Sequence, residues 1–183
     1  MVNVTLFSQI ISKLDRPCFM KLVQKHKTDK HSKGFDSWSH LISMLFCQFA
    51  KSQSVRDISN GLRSATGNLN HLGNVSAPSK SNLSYRNKTR SWELFRDYYY
   101  VLLERLGQQA AQKRTKFRIK AKILLLDATT ISLCLSLFDW ARYKTAKGAV
   151  KMHTLLDYDG HLPAYVNITD GKTADNKGAY DIP

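Results

Sequence analysis

The sequence predicts an α+β chain, with an all-helical basic region first and strands after it. Three observations predict this. Through the first two-thirds of the chain, apolar residues recur at helical spacing. Beyond residue 112 they alternate, or run unbroken in short blocks bounded by turn residues, which is the strand pattern. Charge divides the same way: residues 1–120 hold 21 Lys/Arg against 7 Asp/Glu, whereas residues 121–183 hold 7 of each. Two regions follow, a helical basic region over 1–112 and a strand region over 113–183.

Composition sets the limits. Apolar residues make up 43% of the 183 and aromatics 10%, enough for a packed core and too much for disorder over the whole length. No apolar run approaches the roughly 18 residues of a membrane span. The N-terminus lacks the basic segment and apolar block of a signal peptide. Cys18, Cys47 and Cys134 are odd in number and widely spaced, so they make neither a zinc pattern nor a disulfide framework. A reducing cytoplasm is the expected compartment, with no membrane partner. The net charge of +14 points to a polyanion, most simply nucleic acid.

The helices can be taken in order. Leu6, Ile10 and Leu14, with Phe7 and Ile11 beside them, form a first apolar stripe. Asp15-Arg16-Pro17 breaks it, because proline disfavours helix in the residue before it. Cys18–His26 predicts a second short helix, and the charged stretch 25–33 a loop. Ser37 is placed to cap a helix from Trp38 to about Ala50, with Leu41, Ile42, Leu45, Phe46 and Phe49 on its apolar side. Ser54 and Asp57 then form a capping-box-like start for a short helix through Ile58 and Leu62. Helix, tight polar turn and short helix give a helix-turn-helix-like outline that includes Arg56, although ordinary bundles contain the same pattern.

The Gly/Asn/Ser-rich stretch 61–77 reads as a loop. Residues 78–90 follow, and apart from Pro78 and Leu83 they carry only hydroxyls, amides, bases and one tyrosine. Side chains of this kind contact phosphates and base edges, so Lys80, Ser81, Asn82, Tyr85, Arg86, Lys88 and Arg90 are candidate DNA contacts. A merely solvated helix is the alternative. A strong helix is expected from Ser91 to about Arg105, with Trp92, Phe95, Tyr99, Leu102, Leu103 and Leu106 buried and Gly107 ending it.

Residues 113–122 alternate Phe117, Ile119 and Ala121 with bases, as a half-exposed strand or extended linker does. The unbroken run 123–126 predicts a central strand covered on both faces. Asp127 interrupts it. A carboxylate there is costly unless paired, hydrogen-bonded or bound to a metal, so Asp127 is the leading candidate for chemistry. Residues 149–158 alternate next, with Lys151 and His153 on the polar face as further candidate contacts. Asp159-Gly160 signals a hairpin, and Leu162, Ala164, Val166 and Ile168 mark the returning strand of an antiparallel meander.

These blocks together resemble bacterial insertion-sequence transposases of the DDE class, the insertion-sequence-four type. The resemblance is carried by residues 126–131, 147–157, 160–163 and 168–175. Residues 35–41 and 54–58 resemble the helical domain that precedes the core in one branch of that family. The resemblance implies that the strands begin an RNase H-like mixed sheet. It also implies binding to the terminal repeats of an element as double-stranded DNA, strand cleavage and strand transfer, and a homodimer in the complete enzyme. Three carboxylates would hold Mg²⁺ (or Mn²⁺) in a two-metal site. Asp127 matches the first of the three and is thereby the implied catalytic and metal-binding residue.

The sequence departs from the family in one respect. The family's second Asp lies in an Asp-Arg/Lys-Gly-Tyr context after a fourth strand, and its Glu lies on a later helix. Neither is found here, and no Glu follows Glu104. The expectation is therefore a truncated copy, bacterial, cytoplasmic and nucleoid-associated, that binds DNA without cutting it. The alternatives are a non-catalytic DNA-binding module or repressor derived from a transposase, a nuclease completed by a second chain, and an RNA-binding protein. The last is disfavoured by the lack of aromatic sheet motifs.

Overall fold

The computed structural model describes residues 4–32, 34–64, 69–73, 76–110, 123–133, 142–144, 147–158 and 162–180. The expected strand or linker at 113–122, Cys134 and the Asp159-Gly160 turn lie outside the described residues. The chain divides into two compact units, Met1–Tyr100 and Val101–Pro183.

The first unit is helical: α1 (Val4–Ser12), α2 (Arg16–His26), α3 (Ser37–Phe49), α4 (Val55–Ser64), a 3₁₀ turn (Leu69–Leu72), α5 (Lys80–Thr89) and the start of α6 (Glu93–Ala110). Capping explains most of the boundaries. The Asp15 carboxylate accepts from the Cys18 amide at 2.8 Å, and Pro17 sits in the first turn of α2, where its missing N–H costs nothing. The second helix thus begins two residues before Cys18. Asp36, one residue ahead of the expected Ser37, caps α3 by accepting from the Ser39 amide at 2.7 Å. Ser54 accepts from the Asp57 amide at 3.1 Å, and Asp57 accepts in return from the Gln53 amide at 3.2 Å. Ser79 caps α5 by accepting from the Asn82 amide at 3.2 Å.

Aromatic edge contacts fill the core. Phe19 meets Trp38 at 5.6 Å and Tyr98 at 4.9 Å between ring centroids, and Phe7 meets Phe46 at 5.7 Å. The expected loop 61–77 is partly structured: Leu69 and Leu72 are buried, and the Trp38 indole donates to the Leu72 carbonyl at 3.0 Å. The buried stripe of α6 also differs from expectation. Leu94 and Tyr98 are the buried residues, while Trp92 is 63% exposed and Leu106 49% exposed. Helix α6 continues past Gly107 to Ala110.

The second unit carries β1 (Leu124–Leu133), β2 (Arg142–Lys144), β3 (Lys147–Asp157), β4 (Leu162–Asp170) and the short α7 (Lys177–Tyr180). All described pairings are antiparallel. Strand β3 lies between β1 and β4, and β2 pairs with its first two residues, Lys147 and Gly148. Ala164 is the extra residue of a bulge, since Leu155 pairs with Tyr165 and Leu156 with Pro163. The chain is thus α+β, helices first and the antiparallel start of a sheet after them, as the sequence predicts.

One strand expectation needs correction. Among the described residues β1 pairs only with β3, so it ends the sheet, and Leu124, Leu125 and Leu126 are 41–46% exposed. An unbroken apolar run reports hydrophobicity; it does not encode which strands flank it.

Candidate functional site

The basic surface is built on α3, α4 and α5. Between α3 and α4 the chain turns in five residues, 50–54, with Lys51 in the left-handed region at φ 51°. The two helices approach closely at Gly61, where an added Cβ would lie 2.7 Å from the Phe46 ring. Helix α5 is tied to its neighbours along one side. The Ser59 hydroxyl of α4 donates to the Pro78 carbonyl at 2.7 Å, just ahead of α5. Leu83 is buried, and Asn87 meets the His40 imidazole of α3 at 2.5 Å. At its end stands Arg90.

Arg90 is held inside the fold by its two terminal nitrogens, while its Nε is buried without a hydrogen-bond partner among the described residues. Its guanidinium donates to the Asp36 carbonyl at 3.0 Å, the Phe35 carbonyl at 2.9 Å and the Asp29 carboxylate at 3.3 Å. The same Asp29 oxygen accepts from the Ser37 amide and hydroxyl, each at 2.8 Å. Only 1% of the Arg90 side chain is exposed, so its place among the candidate DNA contacts is corrected. Its acceptors are two backbone carbonyls and one carboxylate of the loop before α3, which hold it inward.

The other candidates on α5 separate by helical phase. A helix advances about 100° per residue, so Leu83, Asn87 and Arg90 mark one side, and Ser81, Tyr85 and Lys88 mark the opposite side. The latter three are exposed, Tyr85 to 61%. Lys80 is exposed at the start of the helix, and Arg56 in the first turn of α4. Asn82 and Arg86 are half-buried on the flanks, with the Arg86 guanidinium 5.7 Å from the centre of the Tyr85 ring. Residues 80–90 contain four Lys/Arg and no acid.

His40 sits behind this surface, 2% exposed and edge-on to Phe95 at 5.3 Å. Burial lowers its imidazole to about 4; Arg90 and Arg86 push the same way, against the Asn87 hydrogen bond. It is therefore neutral at pH 7.

The sheet separates the remaining candidates. Asp127 pairs with Thr154, whereas Lys151 pairs with Thr130 and His153 with Ala128, so Asp127 lies on the face opposite Lys151 and His153. Asp127 is exposed, with the Thr129 hydroxyl 3.4 Å from its carboxylate. Lys151 is half-buried and donates to Asp175 at 2.7 Å, which holds the Asp175 carboxyl below its usual range. His153 is 1% exposed and shares a 2.9 Å hydrogen bond with the Thr169 hydroxyl. Its expected exposure on a polar strand face, and with it a direct DNA contact, is corrected, because the alternation that marks a face does not say which face is covered. Asp170 accepts from the Thr173 hydroxyl at 2.6 Å and from the Thr173 and Lys172 amides, a local turn that holds its carboxyl low.

Among the described residues no three His, Cys, Asp or Glu side chains gather as metal ligands. A two-metal site needs several carboxylates around the ions, and Asp127 has hydroxyl neighbours in Thr129 and Thr154 instead. The described residues therefore do not make up the donor set for a Mg²⁺ pair. Sequence reasoning also missed an outward feature: Trp92, just ahead of α6, and Tyr99 and Tyr100 within it are exposed, with Arg96 5.0 Å from the Trp92 ring.

Comparison with known families gives two matches. Residues 2–74 match a family described as a domain of unknown function (DUF4372). Residues 118–182 match the family described as Transposase DDE domain. No curated relative and no solved structure matches the chain.

Proposed function

From the match of residues 118–182 to the transposase DDE domain family, we infer that the chain carries the DNA-binding region and the first catalytic carboxylate of an insertion-sequence transposase. The match over residues 2–74 supports the same reading, since that family is typical of the N-terminal part of the insertion-sequence-four type. The helical unit binds the terminal repeats of the element as duplex DNA. Its 15 Lys/Arg against 6 Asp/Glu over residues 1–100 favour a polyanion. Asp127, on the first strand of the matched domain, is the metal carboxylate of the complete family enzyme. There Mg²⁺ or Mn²⁺ would activate the attacking oxygen and stabilise the leaving one. The protein acts in the bacterial cytoplasm, where its DNA is.

The observation that carries this reading is Asp127 itself: a carboxylate in an apolar first strand, inside the matched domain. That no three possible metal ligands gather among the described residues supports a second reading for the chain by itself, a DNA-binding module that occupies element ends without cutting them.

One experiment tests both. The purified chain is titrated with duplex DNA between 50 and 200 mM salt, then incubated with Mg²⁺ or Mn²⁺. Expected are binding that weakens by about 10-fold or more across that range, as several phosphate contacts require, and intact DNA. Metal-dependent cleavage that disappears in Asp127→Asn would establish the chain as an active nuclease and overturn the second reading. Binding indifferent to salt would overturn both.

A further inference from the structure

We propose that α5 is the recognition helix of the helical unit, reading base edges in the major groove of duplex DNA through Ser81, Tyr85 and Lys88. This rests on the DNA-binding reading above and deepens it, by naming which helix enters the groove and which side chains give sequence preference.

Three observations carry it. The first is mechanical. Helix α5 is fastened on one side at three places along its length: Pro78 to Ser59, Asn87 to His40, and Arg90 to the loop before α3. A helix held this way presents its opposite face as a fixed surface, so little ordering cost remains to be met on binding. The second is compositional. The outward face has no structural duty that its residues explain. An ordinary bundle helix of ten residues buries an apolar stripe, but α5 buries only Leu83. Its exposed residues are two bases (Lys80, Lys88), two hydroxyls (Ser81, Thr89), a phenol (Tyr85) and an amide (Asn87), with no acid from Lys80 to Arg90.

The third is chemical fit. Ten residues of helix span about 15 Å, and the major groove is about 12 Å wide, so the face fits with its axis inclined along the groove. Ser81 can donate to or accept from any base edge, Tyr85 brings an apolar ring for a thymine methyl and a hydroxyl for a base acceptor, and Lys88 donates to guanine or phosphate. Arg56, exposed in the first turn of the neighbouring α4, supplies a phosphate contact that fixes register. An acidic protein partner would be expected to dock on apolar anchors, and this face offers only Tyr85.

The test uses the full chain. Duplexes with a randomised centre are selected by binding at fixed salt, and the enriched sequence is compared between the wild type and Ser81→Ala, Tyr85→Ala, Lys88→Ala and Arg56→Ala. Thermal melting checks that each exposed substitution leaves the fold unchanged. Expected is an enriched site of a few base pairs. Ser81→Ala and Tyr85→Ala should relax preference at one or two positions by about tenfold. Lys88→Ala should relax one position or lower the salt slope by about one, and Arg56→Ala should weaken all sequences alike and lower the slope by about one. If duplexes of every sequence bind equally, or if the enriched site is the same in all the α5 variants, the proposal fails while the DNA-binding reading stands. If no duplex binds, or a single-stranded RNA of equal length binds more tightly, both fail.

Discussion

Asp127 and His153 stand on opposite faces of one sheet. Asp127 pairs with Thr154, and His153, one residue earlier on β3, pairs with Ala128. The two cannot share a site in this sheet, because neighbouring positions on a strand point to opposite sides. His153 is instead closed into the fold, with one ring nitrogen on Thr169 and the other, Nδ1, buried without a hydrogen-bond partner among the described residues. The expected consequence is that His153→Ala lowers the melting of the strand unit by about 1–3 kcal/mol of stability through the lost hydrogen bond and packing. DNA affinity per folded molecule should not change. Lost affinity with unchanged melting would show that His153 reaches DNA.

How far the site was legible in the sequence differs residue by residue. The place of Asp127 within an apolar strand was legible, because a carboxylate in such a run is an anomaly at the level of composition. The start of α4 was legible because Ser54 and Asp57 cap it through local bonds. Arg90 was not, because its partners Asp29, Phe35 and Asp36 lie more than fifty residues away and nothing local marks it as buried. The face of α6 was misassigned because Leu94, Phe95, Tyr98, Tyr99 and Val101–Leu103 surround the helix with apolar groups, so periodicity alone leaves several choices of stripe. Packing against Phe19 selects Tyr98. The place of β1 at the end of the described sheet depends on strand order, which hydrophobicity does not encode.

Arg90 is predicted to be a stability residue. Removing the guanidinium takes a buried donor from the Phe35 and Asp36 carbonyls and the cation from the Asp29 carboxylate, and leaves a cavity, so Arg90→Ala should cost about 3 kcal/mol. Urea unfolding followed by circular dichroism gives the comparison, with the exposed Arg56→Ala expected within about 0.5 kcal/mol of wild type. Equal stability for the two variants would contradict the buried geometry and return Arg90 to the surface.

Gly61 sets the distance between α3 and α4. An added methyl would approach the Phe46 ring at 2.7 and 2.8 Å, closer than carbon atoms tolerate, and Phe46 is itself held against Phe7. Helix propensity favours alanine by about 1 kcal/mol, but crowding costs about 1–3 kcal/mol, so a net loss near 1 kcal/mol is expected for Gly61→Ala. The double variant with Phe46→Leu should show a favourable coupling, because the smaller side chain removes the ring that the methyl meets. A stabilised Gly61→Ala chain would mean that the helices separate without penalty.

His40 predicts how the helical unit responds to acid. Its ordinary value is 6.5 and burial lowers it to about 4 in the folded chain. Between these values the unfolded chain holds the extra proton, so stability is fully present above about 6.5 and falls as pH drops through the window, with nothing further lost at this site below about 4. The reason is geometric. A second ring proton would fall on Nδ1, which is buried without a hydrogen-bond partner among the described residues, and the cation would face Arg86 and Arg90. The whole window corresponds to about 3 kcal/mol, and about 2 kcal/mol of it lies between pH 7.5 and 5.0, above the ordinary range of carboxylates. Urea unfolding at those two pH values measures it, with His40→Gln as the reference that cannot titrate. The wild type should lose about 2 kcal/mol more than the variant on acidification. Equal losses would mean that the imidazole takes up its proton in the folded state as readily as in the unfolded one.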